Sequence, residues 1–218
     1  MSPELKFHSM VVSGTTLVVF GCWTQLIELI ARYPVLSILA SGVISVGIYR
    51  LIATIFLWLF RKSSYIKKRI LGPYYMEGTW VGFFIGHQEK VRFFVEFFEQ
   101  DLNDLVIRGK AFREEDGKYH GSWVSDNVNI NTKLGKISYT YETDAIGNTF
   151  VNPGIAQFNI ERTSKDQPPC RLIGFTSDLF NPQKLKSFEQ KISEKTEIDS
   201  KEAFNRAKEI FELNKDHI

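Results

Sequence analysis

EKVRFFVEFFEQ, residues Glu89–Gln100, is the stretch whose reading decides the fold. Side chains alternate between the two faces of a strand. Val91, Phe93, Val95 and Phe97 therefore share one face, and Arg92, Phe94, Glu96 and Phe98 share the other. The second face is only half polar. A strand with apolar residues on both sides is covered on both sides or belongs to a tightly curved sheet.

The flanking sequence repeats the pattern in short pieces. GPYYMEGTWVGFFIG (Gly72–Gly86) mixes rings and glycines, a strand composition with bends. DLVIRGKAF runs into REEDGKY, where Asp116-Gly117 signals a hairpin. KYHGSWVSDNVNI, KLGKISYTYET, NTFVNPGIAQFNIER (broken by Pro153-Gly154) and CRLIGFTSD follow. No helical period interrupts these seven or eight strands. The expected fold over residues 73–180 is an all-β, small antiparallel barrel of about eight strands, whose closure removes the exposed edges. A flatter sandwich is the alternative. Residues 181–218 read as C-terminal helices packing on the barrel. One has Asn181 as N-cap, Pro182 at the first turn, and Leu185, Phe188 and Ile192 on one face. The other has Asp199 and Glu202 at capping-box spacing, and Phe204, Ala207 and Phe211 as its stripe.

The N-terminal part is written for another solvent. Residues 10–30 and 35–60 are apolar and long enough to cross a ~30 Å hydrocarbon core. ARYP (Ala31–Pro34) joins them, and Pro34 cannot continue the first helix. Residues 1–60 therefore read as a transmembrane helical hairpin, and RKSSYIKKR within residues 61–72 as a basic juxtamembrane linker. The basic bias places both termini in the cytoplasm. A cleaved signal peptide fits less well: the start is barely basic and the apolar stretch is long. Arg50 lies deep in the second span, where a charge costs about 2.5–3.5 kcal/mol on insertion scales. Glu28, the one acid in the spans, is too far along the hairpin to meet it, and Thr15 and Thr16 offer only hydroxyls at its level. Ser37, Ser41 and Ser45 form a small-residue stripe that lets helices approach closely in lipid. Arg50 and this stripe are the expected self-association elements; the alternative is that the stripe only packs the two helices of one hairpin together.

Catalytic signals are missing from the sequence. His8, His87, His120 and His217 are scattered, Cys22 and Cys170 make no disulfide framework, and neither type falls at metal-ligand spacing. There is no phosphate loop and no nucleophile elbow. The expectation is a binding protein rather than an enzyme, with no metal and no cofactor. A net charge of +2 gives no footprint for a nucleic-acid polymer. Rings and cations on strands suit flat bases and phosphates. By residue type the candidate ligand contacts are Trp80, Arg92, Arg108, Tyr119, Trp123, Asn129, Tyr139 and Tyr141.

A two-span hairpin, a basic linker, the opening strand YMEGTWVGFF with Gly78, Trp80 and Gly82 in a G-x-W-x-G segment, and a compact β-rich domain together resemble a bacterial antiphage family. It comprises the two-transmembrane, β-strand-rich effectors found beside cyclic-oligonucleotide synthases in CBASS operons. The resemblance spans roughly residues 10–180. It implies a cytoplasmic barrel that binds a cyclic dinucleotide, homo-oligomerisation on binding, and disruption of the inner membrane in abortive infection. Two other readings stand beside it. One is a membrane-anchored, lipocalin-like carrier of a lipid or other apolar molecule, marked by a dry apolar lumen. The other is a scaffold whose barrel is filled by its own side chains, marked by the absence of a cavity.

Overall fold

The computed structural model describes residues 2–86, 89–145, 152–180 and 182–215, with side chains except at 25–30, 34, 36–39 and 145. The chain forms two compact units, Met1–Leu71 and Gly72–Ile218.

In the first unit, α1 (Pro3–Arg32) and α2 (Pro34–Lys62) are separated only by Tyr33. Pro34 occupies the first turn of α2, where its missing N–H costs nothing. Gly14 of α1 lies against Ile52 and Phe56 of α2, so the helices run antiparallel. Pro3–Thr24 and Ala40–Lys62 are each long and apolar enough to cross a membrane. Leu17, Phe20, Val43 and Leu51 are largely exposed, whereas a helix pair made for water would bury its apolar stripe. The basic juxtamembrane linker, residues 61–72, is largely helical. α2 runs to Lys62, and α3 (Ser64–Leu71) carries the basic residues in helical form.

The second unit is a closed eight-stranded barrel in which every neighbouring pair is antiparallel. The strands are β1 (Gly78–Ile85), β2 (Val91–Gln100), β3 (Leu105–Arg113), β4 (Tyr119–Asn131), β5 (Lys136–Ala145), β6 (Asn152–Arg162), β7 (Pro169–Asp178) and β8 (Leu185–Ser193). α4 (Ser200–Asn214) follows. It is capped by Asp199, whose side chain accepts from the Lys201 and Glu202 backbone N–H groups. Pro153 and Gly154 lie inside β6 rather than breaking it.

One element departs from expectation. Leu185–Ser193 is the closing strand, not a helix. Leu185, Phe188 and Ile192 fit a helical spacing, but the same segment alternates. Ser187 and Glu189 point inward, and Phe188 points outward to stack on Phe83 at 5.7 Å. Hydrogen-bonded pairing with β1 on one side and β7 on the other overrides the local preference. The proposed cap at Asn181 lies outside the described residues, and among the described residues a single helix, α4, follows the barrel.

The two-faced apolar pattern of β2 has two separate causes. Val91, Phe93 and Val95 join Val81, Phe83, Phe112 and Phe188 in a core outside the barrel, covered by Ala203, Ala207 and Ile210 of α4. Phe204 and Phe211 close it edge-on against Phe93. Phe98 faces inward and joins Trp80, Ile107, Ile137, Phe158, Leu172 and Met76 in a plug that fills one end of the lumen. The segment entering the barrel seals that end. The Trp80 indole N–H donates to the Met76 carbonyl at 2.9 Å, and the Gln100 amide bonds both Met76 N–H and the Tyr74 carbonyl.

Candidate ligand-binding lumen

Beyond the plug the barrel is hollow. The cavity holds about 410 Å³, within the usual range of small-molecule sites. It extends to the end opposite the plug, where Gly86, Lys90, Arg92 and His120 line it.

The floor is made of acids. Glu96 and Glu189 line the cavity and are each only 1% exposed. Glu96 Oε1 accepts from the Trp123 indole N–H at 2.7 Å and from the Tyr139 hydroxyl at 2.9 Å. The Oε2 atoms of both glutamates are buried and meet no N–H or O–H donor of another residue. The two carboxyl groups hydrogen-bond each other, which requires one of them to carry a proton. Burial raises both above the ordinary carboxylate range. Donors from Trp123 and Tyr139 offset part of that for Glu96, whereas the neighbouring Glu96 charge adds to it for Glu189. Of the two, Glu189 is raised the more.

The walls follow from glycine placement. Glu96, Gly109 and Trp123 lie in line across β2, β3 and β4. A Cβ on Gly109 would drive into the indole, so only glycine lets Trp123 cross β3 and reach Glu96. The same device recurs on the opposite wall. Tyr141, Gly154 and Asp178 lie in line across β5, β6 and β7, and the Tyr141 hydroxyl donates to Asp178 Oδ1 at 3.1 Å. A Cβ on Gly154 would strike the phenol ring. Burial, with Asp178 beside it, holds the Tyr141 phenol above its usual range.

The mouth is cationic. Lys90, Arg92 and His120 line it. The Arg92 guanidinium bonds the Val91 carbonyl at 3.1 Å and has no carboxylate partner among the described residues. Burial, then the charges of Arg92 and Arg113, push His120 below its ordinary value, with Glu115 opposing. Thr143, Asn152 and Thr176 add neutral polar groups.

Of the residues expected to meet a ligand, Arg92, Trp123, Tyr139 and Tyr141 line this one cavity. Trp80 points inward but is consumed by the plug. Arg108, Tyr119 and Asn129 lie outside. Arg108 is exposed and ion-paired with Glu99, Tyr119 bonds Ser122 at 2.9 Å on the outer surface, and Asn129 is exposed. Glu96, Glu189, Lys90, His120 and Asp178 also line it, beyond the residues expected from the sequence. Glu96 was legible in principle, as an acid on the inward face of β2. Glu189 was hidden by the helical reading of its strand. No group of three or more metal-ligating side chains occurs among the described residues.

In the first unit Arg50 is exposed on α2; its backbone carbonyl accepts from the Thr54 hydroxyl at 2.8 Å, and its guanidinium has no ionic partner among the described residues. Thr15 and Thr16 donate to the Val11 and Val12 carbonyls of their own helix, so their hydroxyls are already used. Ser41 and Ser45 are half-buried, and the side chains of Ser37 and Glu28 lie outside those described.

No family model, curated protein or solved structure matches the chain.

Proposed function

We propose that the barrel is a sensor for a cyclic dinucleotide and that the hairpin is the membrane effector it controls. The observation that carries this reading is the polarity of the lumen: a cationic mouth at Arg92, aromatic walls at Trp123 and Tyr141, and hydrogen-bonding acids beneath. A lipid carrier calls for a dry apolar lumen, and a filled scaffold calls for none. Rings take a base face, worth ~1–3 kcal/mol per stacked base, and a free arginine fork takes a phosphate.

Downstream of binding, the hairpins lie in the inner membrane of a bacterium with both ends cytoplasmic, and they associate when ligand is present. An arginine in a span whose guanidinium has no partner among the described residues favours multimers in which Arg50 meets another chain or water. A ligand shifts such an equilibrium only by its differential affinity for the two states, so the nucleotide must bind the assembled form more tightly. The implied partners are a cyclic-oligonucleotide synthase, membrane lipid and further copies of this chain, in antiphage defence of the CBASS type.

The test is thermal unfolding of the full chain in detergent with a panel of cyclic dinucleotides and, separately, fatty acids. Ligand at one hundred times its Kd stabilises by about 2.7 kcal/mol, a shift of a few degrees. A rise with one cyclic dinucleotide and none with fatty acids supports the sensor, and the reverse supports the carrier.

A further inference from the structure

The floor of the lumen bears on which base enters. This argument rests on the nucleotide reading above and sharpens it. Arg92 at the mouth and Glu96 at the floor lie four residues apart on the inward face of β2, roughly 13 Å of strand. That spacing suits a nucleotide with its phosphate at the mouth and its base edge at the bottom.

The chemistry at the bottom is one-sided. Glu96 Oε1 already accepts from Trp123 and Tyr139, and Glu96 and Glu189 are tied to each other by a hydrogen bond. Among the described residues no arginine, lysine or histidine reaches the acids: the groups facing them are Trp123, Tyr139 and Tyr141. Both N–H and O–H donors of this neighbourhood are spent on Glu96 and Asp178. What remains for a ligand is carboxyl acceptor capacity in a buried site. A base edge made of acceptors would be left unpaired there.

We infer that the Glu96–Glu189 pair selects a guanine base, whose adjacent ring N–H and exocyclic amino group present two donors side by side to a carboxyl group. Adenine offers an amino group beside an acceptor nitrogen, and uracil offers one N–H between two carbonyls. Each leaves a group facing the acids without a complement. Sites built to hydrogen-bond a substrate group discriminate strongly against analogues lacking it.

The experiment is calorimetric titration of the full chain in detergent with cyclic di-GMP, cyclic di-IMP, cyclic di-AMP and cyclic di-UMP. Cyclic di-IMP keeps the ring N–H and lacks only the amino group, so it tests the site without altering the protein. Expected is binding of cyclic di-GMP at least about tenfold tighter than cyclic di-IMP and than cyclic di-UMP. Glu189→Gln, which preserves shape and a hydrogen bond to Glu96, should shrink the guanine-to-inosine ratio to about threefold or less. Binding with no preference for guanine over inosine, or a preference for uracil, overturns the inference while leaving the sensor standing. A guanine preference unchanged in both Glu189→Gln and Glu96→Gln also overturns it. No binding by any of the four overturns the nucleotide reading and this inference with it.

Discussion

The Trp123 indole N–H donates to Glu96 Oε1 at 2.7 Å across the lumen, passing over Gly109 on the strand between them. This one relationship fixes the depth of the aromatic wall and supplies a donor to a nearly buried carboxyl group. Gly109→Ala places a methyl group in the indole and should cost about 1–3 kcal/mol by overpacking. Trp123→Phe keeps the ring and removes the donor, at about 1–3 kcal/mol. Urea denaturation of both variants checks this. A double variant less destabilised than the sum of the two would show that they act on the same contact.

The acid pair makes stability depend on pH in a specific direction. Glu189, and to a lesser degree Glu96, binds its proton more tightly in the fold than at the ordinary value of 4.5. Above that value the folded chain holds more protons than the unfolded one. The pair's contribution is therefore fully present below about 4.5 and is lost as pH rises through the raised folded values. Denaturation midpoints measured from about pH 5 to about pH 8 should fall along this series in the native chain. They should fall less in Glu189→Gln, which should be the more stable protein at the upper end.

α4 holds the outer core by ring contacts. Phe211 packs edge-on against Phe83 at 4.8 Å and Phe93 at 5.8 Å. Phe211→Ala should destabilise by about 3 kcal/mol, near the low end for phenylalanine because the ring is half-buried. The lumen lies on the other face of these strands, so ligand affinity should change little. Calorimetric titration of the folded variant tests that separation.

Arg92 is the mouth cation with no carboxylate to satisfy it. Arg92→Ala should weaken nucleotide binding by about tenfold to a hundredfold, the range for a lost charge-assisted bond. It should also flatten the dependence of affinity on salt. Arg108→Ala, at a position paired with Glu99 outside the barrel, should do neither.

Much of this architecture can be read from residues 89–100 alone. The double apolar face of β2 implies cover on both sides, and the structure supplies a helix on one and a plugged lumen on the other. What could not be read was parity. Tyr119 and Asn129 share a nominal face with Trp123, but β-bulges flank that residue on β4. One register shift sets Phe112 opposite Tyr119, and another lies between Ser125 and Asn127. Each bulge swaps inside for outside, sending Tyr119 and Asn129 to the surface and bringing His120 to the lumen. Arg108 fails for a simpler reason: its neighbours Ile107, Gly109 and Ala111 are the inward set. Glu189 was missed because its strand also carries helix-spaced apolar residues, and only closure against β1 and β7 distinguishes the two.

The central claim is that a nucleotide in the barrel makes the hairpins breach a membrane. Its most direct test is dye release from liposomes carrying the full chain, with and without a cyclic dinucleotide. The native chain should leak only with ligand, Arg92→Ala should need about ten times more ligand or higher, and Arg50→Leu should bind ligand but leak less. Leakage that ignores ligand, or tight binding that never produces leakage, would contradict the account.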